Sequence, residues 1–271
     1  MDSMSRHSLI AGAVVSALEF LATAWTRAWG ALCLAGVIMA AAWVLWATDP
    51  HWRPLASAVM LGAALLAEGA LYRLALGQRG AGPAGLGLGL PEARIGAVWA
   101  LTVLFLFVLG LLAFVVVLAF AFAVATSGHG FVMALPATWA PAVDGRGRAV
   151  VAVVGSLCLA GLVWAGVRVS LGSAASVARG RILVLATWPA TRGLVLVIIL
   201  GRLALGAVPI GVAVAVLWAS IAWAGASPVA LWAAGLAAGA AIAGLWLPAS
   251  VGLMAHLYAR APIPVAPGAP S

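Results

Sequence analysis

The sequence predicts an all-α polytopic membrane protein with about six transmembrane helices and two amphipathic helices on the cytoplasmic side. Three observations predict it. Hydrophobic residues make up 66% of the chain and charged residues 7%, against about 25% charged in a soluble protein. The apolar residues fall into runs long enough to cross a hydrocarbon core of roughly 30 Å, which takes about 20 residues of helix. The fourteen basic residues are all arginines, and they punctuate those runs instead of gathering into a patch. A net charge of +8 on a soluble fold would suggest a phosphate backbone as partner. Flanking charge that orients the spans accounts for it better, so no nucleic acid is expected.

The elements follow in order. In residues 1–28 the polar positions Ser8, Gly12, Ser16, Glu19, Thr23 and Arg27 recur every three or four residues, one stripe on a helix lying at the interface. Ala22-Thr23-Ala24 has the small-residue pattern of a signal-peptide cleavage site, but Glu19 interrupts the apolar run and Arg27 follows the cut. A membrane domain covers 29–260, with spans at about 29–48, 55–76, 95–126, 149–167, 194–224 and 228–258. Asp49-Pro50-His51-Trp52-Arg53-Pro54 turns the chain between the first two spans. The loop from Gly77 to Arg94 holds a GxGxxG at Gly80, Gly82 and Gly85. With a membrane helix before it, Pro83 inside it and no βαβ unit to follow, it reads as a flexible connector and not a dinucleotide site. The run from Ile95 to Thr126 would be about 48 Å long, so it must tilt, break near Gly110 or project past the bilayer. Ser127 to Arg148 reads as an external loop, and Pro209 as a kink in the fifth span. The Pro-rich tail 261–271 has the composition of a disordered segment.

Placing both termini in the cytoplasm puts Arg6, Arg27, Arg73, Arg79, Arg94, Arg168, Arg179, Arg181, Arg192 and Arg260 inside, and only Arg53, Arg146 and Arg148 outside. That is the positive-inside bias of a multi-pass protein.

Two groups of residues stand out. Glu68 and Arg202 are ionisable residues within spans, where charge is costly and a functional role is the standing hypothesis. They sit at similar depths, about 9 and 13 Å from the cytoplasmic edge. They could serve an ion-coupled site or form a structural pair. The second group is Arg168, Arg179, Arg181 and Arg192, all within Arg168–Gly193, a stretch too polar to cross a bilayer and too apolar for an ordinary loop. Near anionic lipid each arginine could contribute about 1 kcal/mol.

Enzymatic and cofactor chemistry are not expected. His7, His51, His129 and His256 are scattered, there is no HExxH or GxSxG, and six acidic residues in the whole chain leave little for a metal or acid–base pair. Cys33 and Cys158 lie in apolar runs far from any CxxC spacing. Glycines at Gly201/Gly206/Gly211 and Gly235/Gly239 have helix-packing spacing, read as contacts within the monomer. Arg73-Leu74-Ala75-Leu76-Gly77 and Arg168-Val169-Ser170-Leu171-Gly172 share a pattern that either a duplicated hairpin or common boundary chemistry explains.

In Arg168–Gly193 the order is an arginine at the inner end of a span, Ser170-Leu171, a small-residue helix, Trp188, Thr191-Arg192-Gly193 and a long apolar helix. Over about residues 150–260 this resembles the membrane domain of bacterial glycerophosphoryl diester phosphodiesterases and related stand-alone inner-membrane proteins. Where that family usually has Ser-Trp-x-Leu-Thr-x-Gly, this chain has Thr187-Trp188-Pro189-Ala190-Thr191-Arg192-Gly193. The resemblance implies a six-helix domain of the bacterial inner membrane with cytoplasm-side amphipathic segments. It implies no phosphodiesterase activity, since it does not extend to a catalytic domain. The expected partners are membrane lipids, with a second membrane protein as the alternative.

Overall fold

Prolines, glycines and small polar residues set the helix boundaries. A computed structural model describes residues 3–78, 83–87, 89–126, 145–222 and 227–261. Its helices are α1 Ser3–Arg27, α2 Trp29–Thr48, α3 Arg53–Ala75, α4 Leu90–Thr126, α5 Gly145–Val169, α6 Gly172–Arg179, α7 Val195–Ala222, α8 Pro228–Gly239 and α9 Leu247–Arg260. A π-helical segment, Ala240–Trp246, joins α8 to α9. No strand occurs among the described residues. The Asp49 carboxylate accepts from the His51 backbone N–H at 2.9 Å, capping the turn between α2 and α3. Pro54 belongs to the next helix and not to the turn itself. It sits in the first turn of α3, where a missing N–H costs nothing. Gly77 follows α3 with φ +63, the left-handed conformation that glycine adopts cheaply.

Among the described residues, seven helical stretches are long and apolar enough to cross a membrane, one more than the pattern predicts. The addition is Ser8–Arg27. Its polar stripe is nowhere buried, and the contact face is a different one, Ala13, Ala17, Ala24 and Ala28. These alanines let α1 lie close along α9, where Phe20 packs on the Cα of Gly252.

The described residues divide into two units, one of those up to Trp99 together with those from Ser170 on, the other Ala100–Val169. In the second unit α4 runs unbroken through Gly110, and at 37 residues the whole helix is about 55 Å long. The helix α5 begins at Gly145, so Arg146 and Arg148 lie in its first turn and not in a loop. A four-residue extension is cheap, because a long arginine can reach polar surroundings from a helix end. The remainder of the predicted external loop, the tail beyond Ala261, and Gly80 and Gly82 of the GxGxxG lie outside the described residues.

Glycine contacts hold the first unit together. A Cβ on Gly239 would stand 2.6 Å from the Gly36 carbonyl oxygen, and one on Gly235 would stand 3.1 Å from the Ala40 Cα. The Gly235/Gly239 spacing therefore serves packing of α8 on α2 within the chain. Gly201 faces Leu253, and Gly206 faces the Trp246 ring. Gly211, the third member of that series, has nothing within 4 Å. The helix α7 continues through Pro209 without interruption. Pro248 has a visible consequence: its missing N–H leaves the Gly244 carbonyl without its usual partner four residues on. The Trp25 indole N–H donates to that carbonyl at 2.8 Å. The backbone widens beside it, with the Leu247 N–H reaching the Ile242 carbonyl five residues back.

Candidate functional site

The first unit contains a buried polar layer centred on Glu68. Its side chain is 8% exposed. Ser173 on α6, Trp99 on α4 and the opposite charge of Arg202 on α7 lie near its carboxyl. Tyr72, one helical turn along α3 and itself buried, feels both Glu68 and Arg202. The structure thus brings the two sequence-predicted residues into one cluster, but not into a direct ion pair. The Arg202 Nε is buried and has no hydrogen-bond partner among the described residues. Sequence reading did not find Ser173, Trp99 or Tyr72. For Tyr72 a signal was present, since residues four apart share a helix face. Ser173 and Trp99 come from other elements and left none.

A second carboxylate lies near the same end of α3. Arg73, read from sequence as a topological charge, is buried and pairs through Nη1 with the Glu92 Oε1. Its Nη2 donates to the Gly87 carbonyl at 2.6 Å, while the Gly89 N–H donates to the Glu92 Oε2 at 2.9 Å. The Glu92 side chain fits against Gly69, where a Cβ would leave it no room. Gly85 packs on Ala28, and the Gln78 side chain donates to the Val177 carbonyl at 2.7 Å. The described part of the glycine-rich loop is therefore pinned at several points, more than a connector requires.

The stretch Arg168–Gly193 is not a single interfacial helix. Gly172–Val177 is buried, with α6 packed on α3 and α9. Glycine, serine and alanine make this possible, because their small side chains let a short helix enter between larger ones. Gly180 ends α6 with φ +65, and the Leu183 N–H donates to the Ser176 Oγ at 2.7 Å, folding the chain back. The four predicted arginines separate accordingly. Arg168 is buried, its guanidinium 5.5 Å from the centre of the Trp164 ring. Arg179 is half-buried, and Arg181 and Arg192 are exposed. Arg94, which sequence reading treated only as inside charge, lies against Gly180.

Between α2 and α3 is a cavity of about 320 Å³, lined by Ala31, Leu34, Ala63 and Leu66 among others and by the Gly85–Gly87 turn. Its lining is apolar and does not include Glu68.

Compared with protein families, curated proteins and solved structures, the chain matches none. Its class follows from the molecule itself: an all-helical protein whose helices fit repeated crossing of a membrane.

Proposed function

We propose that this is a non-enzymatic multi-pass protein of a bacterial inner membrane, with both termini cytoplasmic, that contacts anionic lipid through the loop following α6. The observation that carries the reading is the exposed pair Arg181 and Arg192 on a loop that also bares Ile182 and Leu185, 48% and 57% exposed. Guanidinium groups beside apolar side chains suit a headgroup layer, with the positive charge at the phosphates and the apolar groups below them. In this reading the chain crosses the membrane six times and α1 lies along the interface. The likeness to the phosphodiesterase membrane domain agrees with it, and Thr187 and Thr191 of that motif are wholly buried, as structural positions would be. Gentle purification and lipid analysis test the proposal. Wild type is expected to retain anionic lipid, and the double variant Arg181→Gln, Arg192→Gln to lose most of it. Identical lipid profiles would overturn the reading, and a protein lost from the variant alone would point to the alternative partner.

The cluster around Glu68 and Arg202 supports a second reading, ion-coupled transport. Glu68 is enclosed and the apolar cavity does not include it, which favours the first. In proteoliposomes, Glu68→Gln is expected to match wild type in proton flux, because the first reading gives the Glu68 carboxyl no part in carrying protons. A wild-type flux abolished in Glu68→Gln would decide for transport.

A further inference from the structure

We propose that Arg94, Arg179 and Arg181 form a phosphate-binding site for an anionic phospholipid headgroup, built around the left-handed turn at Gly180. The inference rests on the lipid-contact reading above and names the site within it.

Local geometry holds the site in place. Arg179 and Arg181 flank Gly180, whose φ of +65 turns the chain. The bond from the Leu183 N–H to the Ser176 Oγ fixes the return path, and the bond from Gln78 to the Val177 carbonyl ties the end of α6 to the chain beyond α3. The third arginine arrives from α4. Arg94 and Val98 are four residues apart and share a face of that helix. A Cβ on Gly172 would meet Val98 at 3.2 Å, and one on Gly180 would meet the Arg94 guanidinium at 3.7–3.9 Å. One face of α4 thus touches both ends of α6, and it sets the Arg94 guanidinium on the glycine between the other two arginines. A side chain larger than glycine at 180 would crowd that position.

Charge balance points to an anion. Glu92, two residues from Arg94, is held by Arg73, and Glu68 is enclosed with Ser173 and Trp99. No carboxylate among the described residues pairs with Arg94 or Arg181. With Arg94 against the glycine that Arg179 and Arg181 flank, three arginines gather positive charge at one turn, and a guanidinium's planar donor fork matches phosphate oxygens. The neighbouring exposed Ile182 and Leu185 assign that phosphate to a lipid.

The test uses the full chain in detergent, with native mass spectrometry of mixed micelles containing phosphatidylglycerol or phosphatidylcholine. Wild type is expected to retain phosphatidylglycerol preferentially. Arg94→Gln and Arg181→Gln should each weaken that retention about fivefold, while Arg260→Gln, at an exposed position on α9 that neither reading places at the lipid, should change it little. Arg181 is exposed, so its variant reports on binding even if Arg94→Gln folds poorly. Equal losses in all three variants would overturn this site and leave general lipid attraction standing. No lipid preference in wild type would overturn both readings. Full competition by millimolar inorganic phosphate would reassign the site to a soluble phosphate, and competition by an acidic peptide would reassign it to a protein; either overturns the lipid assignment.

Discussion

Replacing Arg73 with methionine is expected to cost about 3–5 kcal/mol of stability, because a buried carboxylate deprived of its counter-ion keeps its desolvation penalty. Glu92 is buried, packed against Gly69, and among the described residues receives only the Gly89 N–H besides Arg73. The Gly87 carbonyl would lose its donor as well. Unfolding of the detergent-solubilised protein in denaturant, followed by size exclusion, measures the loss. The double variant Arg73→Met, Glu92→Met should recover a large part of it, since removing both charges removes the penalty. If the single variants lie within about 0.5 kcal/mol of wild type, the pair has no structural weight.

The second large effect is expected at Gly239. Even alanine there places a Cβ 2.6 Å from the Gly36 carbonyl oxygen and 3.3 Å from its Cα. Backbone lies on both sides, so α2 and α8 must move apart. A cost of about 1–3 kcal/mol is expected for alanine, rising for valine or leucine. The facing position is not equivalent. A Cβ on Gly36 would meet its nearest atom at 3.7 Å, ordinary contact, and Gly211 faces open space. Gly36→Ala and Gly211→Ala should therefore unfold close to wild type while Gly239→Ala does not. Equal tolerance at all three positions would refute the close crossing of α2 and α8.

The candidate site was legible in sequence only in part. Glu68 and Arg202 announced themselves as charges inside apolar runs, and similar depth placed them within reach of each other. Nothing local marked Arg94 off from the other arginines read as inside charge, and its proposed role depends on contact with a glycine 86 positions away along the chain. Arg73 and Arg168 carried the same sequence pattern, yet one pairs with Glu92 and the other lies over Trp164. The shared pattern did not predict the partner. Amphipathic periodicity in α1 drew attention to a polar stripe but not to the alanine face that packs. Both are regular on a helix, and only a neighbour chooses between them.

What the sequence determined by itself is therefore the helical class, the fit to a membrane and the approximate extent of the long apolar helices. Those depend on apolar run length and on proline and glycine at the ends, which act within a few residues. Tertiary structure decided which small residues touch, which charges are enclosed, and that Trp25 completes a carbonyl 219 residues away. It also turned Arg168–Gly193 from one surface helix into a buried six-residue run followed by a basic, exposed return. Such outcomes depend on how helices distant in sequence pack, and side-chain volume and backbone approach across those contacts are not written into any single stretch of chain.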